Sequence, residues 1–188
     1  MSQKDIQKLI SIVQRLVGTP CWGVAAGGCT GSRFILDFGE RLERAVEINN
    51  PVLPAIRRKF RGELLLHVGC AAWRLDSTSE VITSSTDLST PDGPMVSGLE
   101  GLRGREVTSA MITQPGLDLV LEFDKVRWLR VFCDQVEGDL DNYTVAYRAT
   151  FVAVGPRSSV SLETGEDLWP GSQGNQAGSS PPTMPPAT

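Results

Sequence analysis

The chain has 188 residues, of which 40% are apolar, 21% charged and 6% aromatic, with 19 Gly, 12 Pro and a formal charge of -4. This is globular stock, and it excludes a collagen-like, coiled-coil or largely disordered protein. No apolar run approaches the roughly 18 residues of a membrane span, and MSQKDIQKLI carries charges where a signal peptide needs an apolar core, so a soluble, cytoplasmic protein with no membrane partner is expected.

Taken in chain order, the first element is an amphipathic helix. Ser2 can cap it, with Asp5 in a capping-box position. Ile6, Leu9, Ile10, Val13, Leu16 and Val17 recur at helical spacing, and Gly18 suits the left-handed residue that closes such a helix. A β-hairpin follows: Cys21 to Val24, a Gly-rich turn from Gly27 to Ser32, then Arg33 to Phe38 with Phe34, Leu36 and Phe38 inward and Asp37 on the solvent face. Next comes the insertion NNPVLPAIRRKFRG. Pro54 suits a first helical turn and Gly62 a terminus, with Ile56 and Phe60 on one face and Arg57, Arg58, Lys59 and Arg61 on the other. Glu63 to Val68, Ala71 to Asp76 and Glu80 to Ser84 are strand-like, and SSTDLSTPDGPMVSGLEG reads as a joining loop.

The second half opens like the first. Leu102-Arg103-Gly104 stands for Leu16-Val17-Gly18, then Val107 to Ile112, a turn at Gln114-Pro115-Gly116, and Asp118 to Phe123 with Leu119, Leu121 and Phe123 inward and Glu122 outward. Tyr143 to Val154 and Ser158 to Leu162 complete it. The expected fold is α+β and β-dominated, with two duplicated halves, about 16–85 and 100–163, sharing one core in a single domain, 1–163. Residues 164–188, which include Trp169 among Gly, Pro, Ser and Thr, are expected to be a disordered tail.

Most familiar chemistries find no footing. Cys21, Cys29, Cys70 and Cys133 are scattered and His67 is the one histidine, so the close ligand pairs of a zinc site are missing and buried free thiols are expected. His67 and Cys70 are three apart in an extended segment and point to opposite faces, so they form no thiolate-imidazole pair there. The Gly-rich turn lacks the Lys-Ser/Thr of a phosphate loop, and the acids of DQVEGDLDN do not follow a calcium-loop order. No cofactor, metal or catalytic residue is therefore assigned.

Of the 18 basic residues 14 are Arg, a bias typical of a GC-rich bacterial genome, and the acidic balance makes nucleic acid an improbable partner. The dense cluster Arg57, Arg58, Lys59 and Arg61 is the expected partner-binding site, for a protein with an acidic surface. The Leu-x-Gly starts and the Ile-Leu-Asp-Phe and Val-Leu-Glu-Phe strands resemble small β-rich bacterial proteins of uncharacterised families often encoded near toxin and immunity genes. The resemblance implies a stoichiometric binder, an immunity or defence-accessory protein. A non-catalytic protein-binding module is the resulting expectation; the alternatives are a small-ligand or nucleotide sensor and an enzyme with an unrecognised acid-based site.

Overall fold

The computed structural model describes residues 3–27, 30–51 and 53–165. The elements in chain order are α1 (Gln3–Gln14), β1 (Cys21–Ala26), β2 (Phe34–Glu43), α2 (Ala55–Lys59), β3 (Phe60–Val68), β4 (Ala72–Ser77), β5 (Val81–Ser84), α3 (Pro94–Glu100), β6 (Val107–Thr113), β7 (Asp118–Phe123), β8 (Arg127–Phe132), β9 (Tyr143–Tyr147), β10 (Thr150–Val154) and β11 (Val160–Thr164). The strands make two antiparallel sheets, one of six in the order β1-β2-β3-β9-β10-β11 and one of five in the order β5-β4-β8-β7-β6.

The core lies between the sheets because successive side chains of a strand point to opposite faces and the inward-facing set is apolar. Phe34, Leu36 and Phe38 of β2, Trp73 and Leu75 of β4, and Leu119, Leu121 and Phe123 of β7 are all almost fully buried in one cluster. Phe34 meets Trp73 edge-on with ring centroids 5.0 Å apart, and Phe38 stacks on Phe123 at 6.4 Å. The two longer helices fill gaps between the sheets. Helix α1 buries Ile6, Leu9, Ile12 and Val13 against β6 and β9 to β11, and α3 buries Met95 and Leu99 against β1 and β5. The inward stripe of α1 includes Ile12, whereas Val17 is 40% exposed beyond the helix end. The expected Ser2 cap lies outside the described residues.

The chain threads the sheets twice in the same manner. Helix α1 and the meander β1-β2-β3 enter the six-stranded sheet, and the chain then crosses to place β4 and β5 in the five-stranded one. Helix α3 and β6-β7-β8 enter the five-stranded sheet, and the chain crosses back to place β9 and β10 in the six-stranded one, with β11 added at its edge. Where the two first strands begin, their backbones hydrogen-bond reciprocally. Gly18 N–H donates to Val107 and Gly104 N–H to Cys21, at 2.8 and 2.6 Å, while Cys21 N–H donates to Arg105 and Val107 N–H to Thr19, at 2.8 and 3.0 Å. Gly18 and Gly104 hold φ of +80° and +82° there, a region open to glycine at little cost.

Three local readings needed correction. The joining loop contains α3, with Pro94 in its first turn. Arg127–Phe132 is a strand, β8, that alternation obscured because Trp128 and Phe132 stand at outward positions and Arg127 shares the inward phase of Leu129 and Val131. Tyr143 to Val154 is two strands, β9 and β10, reversed at Arg148, whose φ is +53°. Strand β11 runs to Thr164; Trp169 and the rest of the expected tail lie outside the described residues.

Trp73 is 1% exposed, and its indole N–H donates to the Ser32 carbonyl at 2.7 Å in the turn between β1 and β2. Trp73→Ala therefore removes the largest buried side chain and orphans that carbonyl. It should cost on the order of 3–5 kcal/mol, measured by urea denaturation; a loss below about 1 kcal/mol would mean the turn and the core do not share this residue.

Candidate functional site

The basic segment does not form one solvated face. Arg57 and Arg61 are only 4% and 7% exposed, which corrects the expectation that all four cations point away from the protein. Strand β3 begins at Phe60, so Arg61 belongs to it rather than to the helix, and its guanidinium donates to the Arg148 carbonyl at 3.4 Å. Arg57 turns inward from α2 and its Nε donates to Asp37 Oδ2 at 2.6 Å. Ile56 and Phe60, the expected buried face, are half-exposed, and Arg58 and Lys59 remain at the surface, Arg58 3.8 Å from Glu47.

Asp37 is the second correction. Its alternation with core residues places it on the outer face of the six-stranded sheet, yet it is fully buried there because the β2–β3 connection folds back over it. Arg44 N–H donates to the Lys59 carbonyl at 2.8 Å and Ile48 N–H to the Arg58 carbonyl at 3.1 Å, which pins that connection. The second carboxylate oxygen accepts the Gly62 N–H at 3.1 Å. Gly23, the neighbour of Asp37 across β1, leaves room for the carboxylate, since a Cβ there would stand 2.7 Å from Oδ2.

The thiols are poorly placed for chemistry. Burial, reinforced by Asp37, pushes the Cys21 thiol up to about 12. Burial together with Asp118 and Asp134 pushes Cys133 up to about 12, so neither supplies a thiolate at neutral pH. Cys70 follows β3 and lies 3.8 Å from the Arg33 guanidinium. Cys29 lies outside the described residues. Among the described residues no group of three or more His, Cys, Asp or Glu is placed to hold a metal ion, and no helix is long and apolar enough to cross a membrane.

Two surface features remain. A cavity of about 180 Å³ on the outer face of the six-stranded sheet is lined by His67, Asp141, Thr144, Ser161 and Glu163 over Phe151. Burial and then Arg33 lower the His67 pKa, while burial and then Glu163 raise that of Asp141. The other feature is the outer face of the five-stranded sheet. Ser109, Glu122, Trp128, Asp76 and Val81 stand side by side across five strands, and Met111, Val120, Arg130 and Arg74 form the next row. Asp76 holds both arginines, with Arg74 at 2.7 Å and Arg130 at 3.0 Å. Met111 is 54% and Val81 55% exposed. Sequence reasoning missed this face because it did not recognise β8, whose Trp128 and Arg130 lie at its centre.

Comparison with known proteins returned no matching family model, no matching curated protein and no matching solved structure.

Arg57→Ala would strand a fully buried carboxylate, so it should destabilise the fold by about 3–5 kcal/mol, whereas Arg58→Ala should stay within about 0.5 kcal/mol; equal effects in thermal melts would contradict the ion pair. His67 gives a pH test. Because its folded-state pKa lies below 6.5, its contribution is complete above that value and is lost as pH falls from there through the folded pKa. Lowering the pH from about 7 to about 5 should therefore cost the wild type more stability than it costs His67→Gln; parallel profiles would show that the imidazole is not resisting its charge.

Proposed function

We propose that the chain is a non-catalytic protein-binding module that docks its partner on the outer face of the five-stranded sheet. The observation that carries this reading is the side-chain content of that face. A solvated antiparallel sheet ordinarily presents polar residues outward, but here Met111, Val120, Trp128, Phe132 and Val81 point away from the core. Apolar side chains grouped with tethered arginines are typical of contact surfaces between proteins, where Trp, Met and Arg are enriched. Stoichiometric binding of the kind an immunity or defence-accessory protein performs fits such a surface.

Residues about 16–85 and 100–163 are, in this proposal, duplicated halves. Support comes from the repeated threading and from paired details. The extra residue in β1 falls between Cys21 and Gly23, and that in β6 between Val107 and Ser109. Trp73 Nε1 donates to Ser32 O while the Tyr143 hydroxyl donates to Leu117 O, each in the turn before its half's second strand. The connection that covers Asp37 has no equivalent after β7, where three residues, Asp124 to Val126, lead directly into β8. One outer face is thus covered by the chain itself and the corresponding one is left to a partner.

A second contact, between Arg58 and Lys59 and an acidic partner surface, is supported by the exposure of Lys59 and the partial exposure of Arg58. The two contacts separate experimentally. With tagged full-length protein as bait in cells that naturally express it, Met111→Glu should abolish retention of the species held by wild type without lowering the melting temperature. Arg58→Glu with Lys59→Glu should weaken retention only at low salt, because exposed charges are screened within about 8 Å at physiological ionic strength. Undiminished retention by Met111→Glu would reject the sheet face as the docking surface.

A further inference from the structure

The covered face of the six-stranded sheet shows what kind of group suits the bare one. Asp37 and Glu122 occupy the same place, the outward position of the second strand in each meander, next to the last inward phenylalanine, Phe38 or Phe123. Across the third strand Asp37 faces Leu65 and Glu122 faces Trp128; across the first, Asp37 faces Gly23 and Glu122 faces Ser109. Asp37 has its cation, Arg57, delivered by the chain's own insertion. Glu122 is half-exposed and has no ion-pair partner among the described residues. The two arginines closest to it on the face are already turned to Asp76.

We propose that Glu122 and Trp128 together form a receptor for an arginine side chain of the partner protein, so that the partner supplies on this sheet what Arg57 supplies on the other. This rests on the docking reading given above and adds the chemistry of the group that docks. Directly opposed residues of neighbouring antiparallel strands hold their Cβ atoms roughly 5 Å apart, which lets one guanidinium reach the Glu122 carboxylate while its plane lies on the Trp128 indole. A planar guanidinium suits both contacts, with a forked pair of donors for the carboxylate and a flat face for the ring. An ammonium offers only the point charge. The hollow of about 470 Å³ beside Trp128, bounded by Asp76, Glu80, Val81 and Arg130, gives the residues flanking such an arginine a place to lie. Ser109 stands beside Glu122 where the other sheet has Gly23, so the cross-strand neighbour that makes room for Asp37 is replaced by one with a side chain, and Glu122 remains half-exposed to a group arriving from outside.

The probe is a synthetic peptide of the chain's own residues 53–62, LPAIRRKFRG, titrated into ¹⁵N-labelled full-length protein and followed by amide and indole shifts. Saturable shifts should map to Ser109, Glu122 and the Trp128 indole N–H, and the affinity should fall about tenfold in Glu122→Gln, as expected for loss of a hydrogen bond between charged groups. A peptide with every arginine replaced by lysine should bind more weakly than the original. Shifts confined to Gly23, Asp37 and Gly62 would mean the peptide merely displaces its own counterpart, and would overturn the inference; so would absence of saturable binding. Binding that survives Glu122→Gln but is lost in Trp128→Ala would overturn the arginine receptor while leaving the docking face in place, whereas undiminished retention of the cellular partner by Met111→Glu removes the face itself. Shifts of these same residues with protein concentration alone would make the occupant a second copy and also overturn it.

Discussion

The two sheets are tied along one side by the four backbone hydrogen bonds exchanged between residues 18–21 and 104–107, and much of the architecture depends on them. Each first strand begins at that junction, so its position in one sheet is set by the backbone of the other. A helix cannot continue into this crossing. Gly18 and Gly104 end the preceding turns in the left-handed region, and Leu16 and Leu102, just before them, are almost fully buried. The junction thereby fixes where α1 and α3 enter the gaps between the sheets. Once β1 and β6 are placed, the extra residue near the start of each shifts the register against β2 and β7, and Phe38 and Phe123 are brought into contact across the core.

A buried charge is tolerated in this arrangement because its partners are delivered by neighbouring backbone. Removing Asp37 from water is costly unless the carboxylate is both paired and hydrogen-bonded. One oxygen receives Arg57 and the other the Gly62 N–H, and both donors come from the same β2–β3 connection and the start of β3. The pair therefore positions the connection as much as the connection buries the pair. This also explains why a dense run of basic residues failed to make a basic surface: its first and last members, Arg57 and Arg61, are consumed by the fold, leaving Arg58 and Lys59 outside.

The sequence was most legible where one periodicity governed a whole element. The inward sets of β2 and β7 follow from period two and agree with the structure, and the stripe of α1 follows from period 3.6 at Ile6, Leu9, Val13 and Leu16, although the structure buries Ile12 and leaves Val17 exposed. Pattern failed where outward positions carried large or amphipathic side chains. In β8, Trp128 and Phe132 disrupt the polar half of the alternation, and the strand was passed over together with the face it centres. Asp37 failed for a different reason: period two identifies which face a residue is on, but only tertiary packing decides whether that face meets water. The same limit applied to the basic segment, whose five-residue helix is too short for a reliable amphipathic phase.

The contrast between the two outer faces bears on where a binding function can reside. On the six-stranded sheet, Asp37, Leu65, Ala146 and Phe151 lie in one row and are between 0% and 6% exposed, so a partner would first have to uncover them. The corresponding row of the five-stranded sheet meets solvent from Ser109 to Val81 and needs no such rearrangement. Its strands are also the better fixed: β7 and β8 sit inside the sheet with a neighbour on either side, their inward residues locked in the core. Side chains on such a scaffold lose little backbone freedom on contact, which is the condition under which a small number of aromatic and charged groups can sustain recognition. The rigidity that makes the core is thus inherited, through the same strands, by the surface on its far side.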